Sequence, residues 1–598
     1  MPNVKTVCLF GICFALAGCT TAAPAAPAAT PATATPQTNA MGAAVEPALK
    51  PASAAAGAWG MSVVVASPMK LVADLDALSK SLALPMPLGQ SLLPTLTSGP
   101  GPGGVTVARE TLDRLDATRP VAAIWLVRGS DAPAGWCAAA AFKDRASALD
   151  ALQKTGTGGA QREGTIERRL PSGDVVWGAV KDRQLLLSSS HETLLAAGAL
   201  AITTQGTPMS GQALVTLSPS VLARGTGQPL DVFVSSVLSE AVAEMDKDAS
   251  GAGKRLTPAS KNMTGALLKA LVRPLSEIAV ARISFEIGDR RGVALRVEAQ
   301  PTAGSGLAAK TAHVSPYAFD PALPVHSDAS AVIGWGDMAP WLADWIQVVE
   351  ASGPAGSAAG RDLRALVVES MEGGSCAADV GAVPIRLMCS LSVRPGVDAS
   401  HALAGYLAFL ESSNAWEAEI DGRRPTPLKV KHKGKVVEIE KAIERNDPQA
   451  TALMKTIMGG GAMHTALTVK DRHVVLAVGP KPREILDRYG KPHESMKVAA
   501  PILARSLVDT AGADFMGLLD VVSVLGKVLA NSKESGGSTF GGMMAAVPGL
   551  SDLRAPVVLD GHGGSVAAME IQVPFGSLQN IARVVSAFMG QMGATPAR

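Results

Sequence analysis

The chain repeats itself faintly, and this repetition limits its architecture more than any motif does. Segment 180–200 reads VKDRQLLLSSSHETLLAAGAL and segment 469–489 reads VKDRHVVLAVGPKPREILDRY. Each gives a turn at Lys-Asp-Arg, an apolar strand, a polar break and a helix. A shared tetrapeptide weighs little in 598 residues, but its surroundings match in the same order. WCAAAAFKDRASALDALQ (136–153) answers MCSLSVRPGVDASHALAGYL (388–407), setting Cys137 against Cys389. LSEIAVARISFEIGDRRGVALRVEA (275–299) answers LSDLRAPVVLDGHGGSVAAMEIQV (550–573), and MSVVVASPMKLVADLDAL (61–78) answers SAVIGWGDMAPWLADWI (330–346). A period of roughly 260 to 290 residues means a duplicated domain, not a solenoid.

The expected fold class is therefore α+β, as two tandem copies of an antiparallel-sheet-plus-helices domain. One copy spans 58–312 and the other 327–595, joined by a proline-spaced linker at 313–326. Within each copy, short β-runs joined by tight polar turns alternate irregularly with helices, which favours antiparallel pairing. LKVKHKGKVVEIEK (428–441) shows it locally: with Lys433-Gly434 as the turn, Leu428, Val430, Val437 and Ile439 share one face and Lys429 stands opposite Glu438.

The start of the chain carries a different signal. Lys5 precedes an apolar run from Val7 to Ala17, and Leu16-Ala17-Gly18-Cys19 follows. The run is short of the roughly 20 residues a permanent membrane helix needs, and the order is that of a secretory signal. At these four residues the segment resembles the bacterial lipobox, at which the cysteine is diacylated and residues 1–18 are removed. The resemblance implies a lipoprotein anchored through a palmitate-type lipid on Cys19. Thr20 in place of Asp implies the outer membrane, with the body facing the periplasm. Residues 19–57 are nearly all Ala, Pro and Thr, too poor in large apolar side chains to fold. As an extended tether at about 3.1 Å per residue they would reach on the order of 100 Å. Behind it, the organisation resembles tandem α+β bacterial envelope proteins of unknown function, a likeness that carries no active site across.

Composition removes several functions. Aromatic residues are only 4%, which counts against the stacking platforms of carbohydrate and single-stranded nucleic acid binding. A net charge of +2 gives no global field for nucleic acid. No second apolar run reaches transmembrane length. After export and lipidation, Cys137, Cys376 and Cys389 remain, and the last two are close enough in sequence for a disulfide in an oxidising compartment. The nine histidines show no metal-ligand spacing, so neither a metal nor a cofactor is expected.

Ser67-Pro68-Met69-Lys70 fits the S-x-x-K nucleophile pattern of penicillin-binding proteins, and Lys154-Thr155-Gly156 supplies a K-T-G. That K-T-G comes only about 85 residues later, at the end of a helix, with no S-D-N between. Ser67 also reads as a helix N-cap followed by proline. Gly251-Ala252-Gly253-Lys254 lacks the earlier glycine and the Ser/Thr of a phosphate loop, and Asp560-Gly561-His562-Gly563-Gly564 reads as a hairpin turn. Two leads remain. Arg423, Arg424, Lys429, Lys431, Lys433 and Lys435 form a basic patch for anionic headgroups or envelope polymers, or else a solvated face paired with Glu438 and Glu440. Ile457–Met463 and Phe540–Met544 are Met/Gly-rich stretches that could line an apolar groove. The expected role is binding or structural, toward a protein, lipid or polymer partner. The alternatives are an envelope serine hydrolase or transpeptidase using Ser67 and Lys70, or a carrier of apolar ligands.

Overall fold

A computed structural model describes most of residues 59–593. Outside the described residues lie 1–58, 92–108, 128–134, nearly all of 222–256, 289–291, 324–330, 380–383, 445–447, 492–511, 525–552, 594–598 and a few single positions. The signal, Cys19, the tether, the 251–254 loop and the 540–544 stretch all fall there.

The first half supplies β1 (Trp59–Val65), β2 (Val121–Leu126), β3 (Gly135–Ala141), β4 (Thr157–Arg162), β5 (Thr165–Arg169), β6 (Val175–Lys181), β7 (Gln184–Ser188), β8 (Ala213–Leu217), β9 (Ile278–Gly288) and β10 (Gly292–Pro301). The second supplies β11 (Ala331–Trp335), β12 (Met371–Asp379), β13 (Arg386–Val393), β14 (Leu428–Lys433), β15 (Val436–Ala442), β16 (Ala462–Lys470), β17 (His473–Val478), β18 (Phe515–Asp520), β19 (Pro556–His562) and β20 (Ala567–Val573). Among the described residues these twenty strands form one antiparallel sheet. From one edge inward the order is β4-β5-β6-β7-β3-β2-β1-β8-β9-β10. It continues β20-β19-β18-β11-β12-β13-β17-β16-β15-β14 to the other edge.

This corrects the expected fold class. The halves are not two tandem domains with their own sheets. Each contributes ten strands in the same order, and the innermost strands pair with each other, β10 to β20 over seven residue pairs. Sequence periodicity reports strands, but nothing in it says that two alternating strands of different halves will meet edge to edge. Here Val293, Leu295 and Val297 lie opposite Val573, Ile571 and Met569, while Arg296 sits 3.7 Å from Glu570 on the other face. A helix also crosses the division: Thr257, capping Pro258–Ser276, donates its hydroxyl to the carbonyl of Ile420 at 2.8 Å. The expected linker is likewise packed into the structure, with Leu323 buried in a core that includes Val332, Met388 and Met516.

The matching Lys-Asp-Arg tetrapeptides have a shared physical cause. Asp182 and Asp471 both adopt φ 52° and open the two-residue turns β6–β7 and β16–β17. Aspartate tolerates that left-handed conformation because its short side chain can bond locally. Equating these turns aligns Leu187 with Leu476, so Ala138, not Cys137, is the counterpart of Cys389. A one-residue slip in a strand exchanges faces, and Cys137 accordingly packs with Ile124, Leu186 and Ala197 under the helix His191–Gln205. Helices cover the opposite face too: Leu152 of Arg145–Lys154 packs with Val180 and Leu185, and Leu403 and Tyr406 of Ala399–Asp421 pack over Cys389, Leu467 and Leu476.

Candidate functional site

The structure does not assemble a serine–lysine couple. Ser67 does occupy the N-cap position of the helix Pro68–Ser81, with Pro68 at its start. Its side chain makes no capping bond, and Oγ is buried without a hydrogen-bond partner. Lys70 Nζ is taken up by Asp74 at 2.8 Å, and Lys154 of the K-T-G ends the helix Arg145–Lys154, 2.9 Å from Asp150. Activation of a serine by lysine needs the two within hydrogen-bond reach.

Cys376 and Cys389 face each other across β12–β13 and are joined by a disulfide. On the other face of the same strands, Asp320 Oδ2 accepts hydrogen bonds from the hydroxyls of Ser390 and of Tyr489 (2.5 Å for the latter), and Ser375 Oγ accepts from the Asp320 amide at 3.2 Å. Burial and the neighbouring Asp320 push the Tyr489 phenol above its ordinary value. All four side chains are buried, so the network pins the 317–323 segment to the sheet. Cys137 is a buried free thiol, pushed up to about 12 by burial.

Asp560, Gly561 and His562 do not form a turn. They end strand β19, and the turn lies beyond them at 563–566. Burial raises the Asp560 carboxyl above the usual range, opposed by His562, whose Nε2 is 3.2 Å away, and by Arg296. Among the described residues no group of three or more His, Cys, Asp or Glu is placed to hold a metal ion. No described helix is long and apolar enough to cross a membrane.

The six basic residues scatter into different roles around one edge of the sheet. Arg423 is tied to Asp421 at 3.2 Å and donates to Thr426 at 3.0 Å. Lys429 pairs with Glu440 and Lys433 with Glu438, each at 2.7 Å, and Arg424, Lys431 and Lys435 are exposed. Hydrogen bonds from these lysines hold both glutamates below the usual carboxylate range. The hairpin register differs from expectation. Gly434, at φ 66°, opens a Gly434-Lys435 turn, so Lys429 stands opposite Glu440 and Lys431 opposite Glu438. A cleft of about 400 Å³ lies beside it, lined by Lys429, Lys431, Lys481 and Arg483 and equally by Glu438, Glu440, Glu484 and Asp487. It is a mixed-charge surface, not a uniformly positive one. The Ile457–Met463 stretch ends the helix Pro448–Met458, turns at Gly459 and enters β16.

Three residues that sequence reasoning passed over stand out. Trp341 and Trp345, one turn apart on the helix Ala339–Ala351, are 37% and 45% exposed, while Ile346, Val348 and Val349 face inward. Setting Asp74 on Asp344 puts Leu71 and Leu75 at the matching places of the first half, both half-buried. Arg168 on β5 is only 9% exposed, its Nε has no hydrogen-bond partner, and burial alone lowers its pKa. It lies directly opposite Gly158 of the edge strand β4. The low aromatic content was a usable hint for the first two, but the burial of Arg168 depends on the register in which β4, β5 and β6 pair. Comparison with protein-family models, curated proteins and solved structures finds no match to this chain.

Proposed function

We propose that this protein is a lipid-tethered binding protein of the bacterial envelope. It is exported behind residues 1–18, lipidated on Cys19 at the periplasmic face of the outer membrane, and raised on the 20–57 tether to meet a protein partner by non-covalent contact. The address rests on Leu16-Ala17-Gly18-Cys19. The binding role rests on one observation, the side-by-side exposure of Trp341 and Trp345. Large aromatic side chains left more than a third exposed keep apolar surface in water, and tryptophan is enriched among residues that dominate protein interfaces. A protein partner fits better than an anionic bilayer, because the lysines of β14 are offset by Glu438 and Glu440.

Two measurements on the full chain in cells test this. Cys19→Ala should release the protein from membranes and abolish palmitate labelling. A photo-crosslinking residue in place of Trp345 should give one discrete adduct under ultraviolet light. A Cys19→Ala protein that stays on the membrane would contradict the anchor, and absence of any adduct at 345 would contradict the binding role.

A further inference from the structure

The outer edge of β4 combines two features that a free protein does not need. The strand reads Thr-Gly-Gly-Ala-Gln-Arg, all six residues are exposed, and among the described residues β5 is its one neighbour. Its outward backbone amides and carbonyls are therefore open to pairing. Such edges are normally guarded by charge, proline or a covering element. Here no charged side chain appears before Arg162 at its end, which sits 3.7 Å from Glu192. A bulge sets Gly159 and Ala160 against Glu167, which bends the strand without covering it.

Directly behind this edge lies Arg168. Its neighbours on the same side are apolar, Val176 across β5–β6 and Leu170 beyond it. Among the described residues no carboxylate pairs with it. With its Nε buried and unpaired and no counter-ion beside it, the guanidinium is short of a hydrogen-bond acceptor. The guanidinium is reachable from the edge: its Nη1 lies 3.7 Å from where a side chain on Gly158 would begin. Glycine at that position leaves a gap in the edge strand beside the charge.

We propose that the β4 edge and Arg168 together form a docking site for an extended, acidic segment of another protein. The segment adds as a further antiparallel strand about 4.8 Å outside β4. A glutamate on it, next to Gly158, reaches across the missing side chain and gives Arg168 the carboxylate it lacks, in the planar geometry a guanidinium favours. Backbone pairing supplies the attachment and Arg168 the selectivity. The proposal deepens the binding role argued above and rests on it.

The test uses the purified full-length protein and two peptides carrying fluorescein on the N-terminal amine in place of an acetyl group, fluorescein-Gly-Gly-Thr-Val-Thr-Glu-Thr-Val-Thr-amide and its glutamine twin, titrated by fluorescence polarisation. The glutamate peptide should bind at least tenfold more tightly. Arg168→Met should remove that preference, and Gly158→Asp, which the local space accommodates, should remove it by neutralising Arg168 internally. Ala160→Pro should weaken both peptides alike. Thermal melts confirm that each variant is folded. Equal binding of the two peptides, binding of neither, or a preference that survives Arg168→Met would overturn the proposal. So would a β4-dependent dimer that excludes both peptides, since the edge would then serve a second copy of this chain. A crosslinked adduct at Trp345 that persists while both peptides fail would leave the binding role standing without this site.

Discussion

The sheet ends in two hairpins at equivalent places in the strand order, and they treat their positive charges in opposite ways. On β14, Lys429 and Lys433 point into water and meet glutamates of β15, so the edge is ringed by solvated charge. On β4 the edge carries glycines, and Arg168 of the neighbouring strand is buried without a partner among the described residues. Counting formal charge makes both hairpins basic. Burial separates them: one resists an added strand, and the other presents open backbone beside a charge that needs an anion.

The two ends of the sheet should also differ in how they respond to substitution. The second half is braced by Cys376–Cys389 across 13 residues, where the first has Ala123 opposite Ala138. Replacing both cysteines by alanine should cost about 3 kcal/mol in urea denaturation. The same variant should leave peptide binding at β4 untouched. Arg168→Met should act in the other direction and raise the melting temperature of the free protein slightly, because it removes a buried Nε that has no partner. A destabilised Arg168→Met protein would mean the guanidinium already has a structural role.

Smaller effects separate the two ends further. Native Cys137 should resist iodoacetamide at pH 8, since burial pushes its thiol up to about 12, and it should react at once in denaturant. Immediate labelling of the folded protein would mean that the first-half core is open. The smallest effect concerns Glu438 and Glu440. Their carboxyls are held below the ordinary value of 4.5 by Lys433 and Lys429. A carboxylate lowered on folding stabilises above its unfolded value and loses that contribution as pH falls through the folded one. Acidification below 4.5 should therefore erode a slight protection of β14–β15, and high salt should erode it similarly. Glu438→Gln combined with Glu440→Gln should make this pH response vanish without a clear change in melting temperature at neutral pH.

Turn chemistry and alternation were legible in the sequence. The Lys-Asp-Arg turns and the shared face of Val430, Val437 and Ile439 follow from local preferences. Register was less so, because Gly434 can open a turn on either side and the choice moved Lys429 from Glu438 to Glu440. The union of the halves was not legible at all: β10 and β20 alternate as any half-buried strand would. Nor was β4, whose Thr-Gly-Gly-Ala-Gln-Arg has no apolar face and forms a strand only because β5 offers it a ladder. Arg168 follows from the second omission, since its burial depends on β4 forming and on Gly158, Val176 and Leu170 meeting in space.

Hydrogen exchange of the full-length protein with and without the glutamate peptide compares the two ends most directly. The difference in edge chemistry predicts that the peptide slows exchange across 157–162 and leaves 428–433 unchanged. Equal protection at both edges, or none at 157–162, would contradict it.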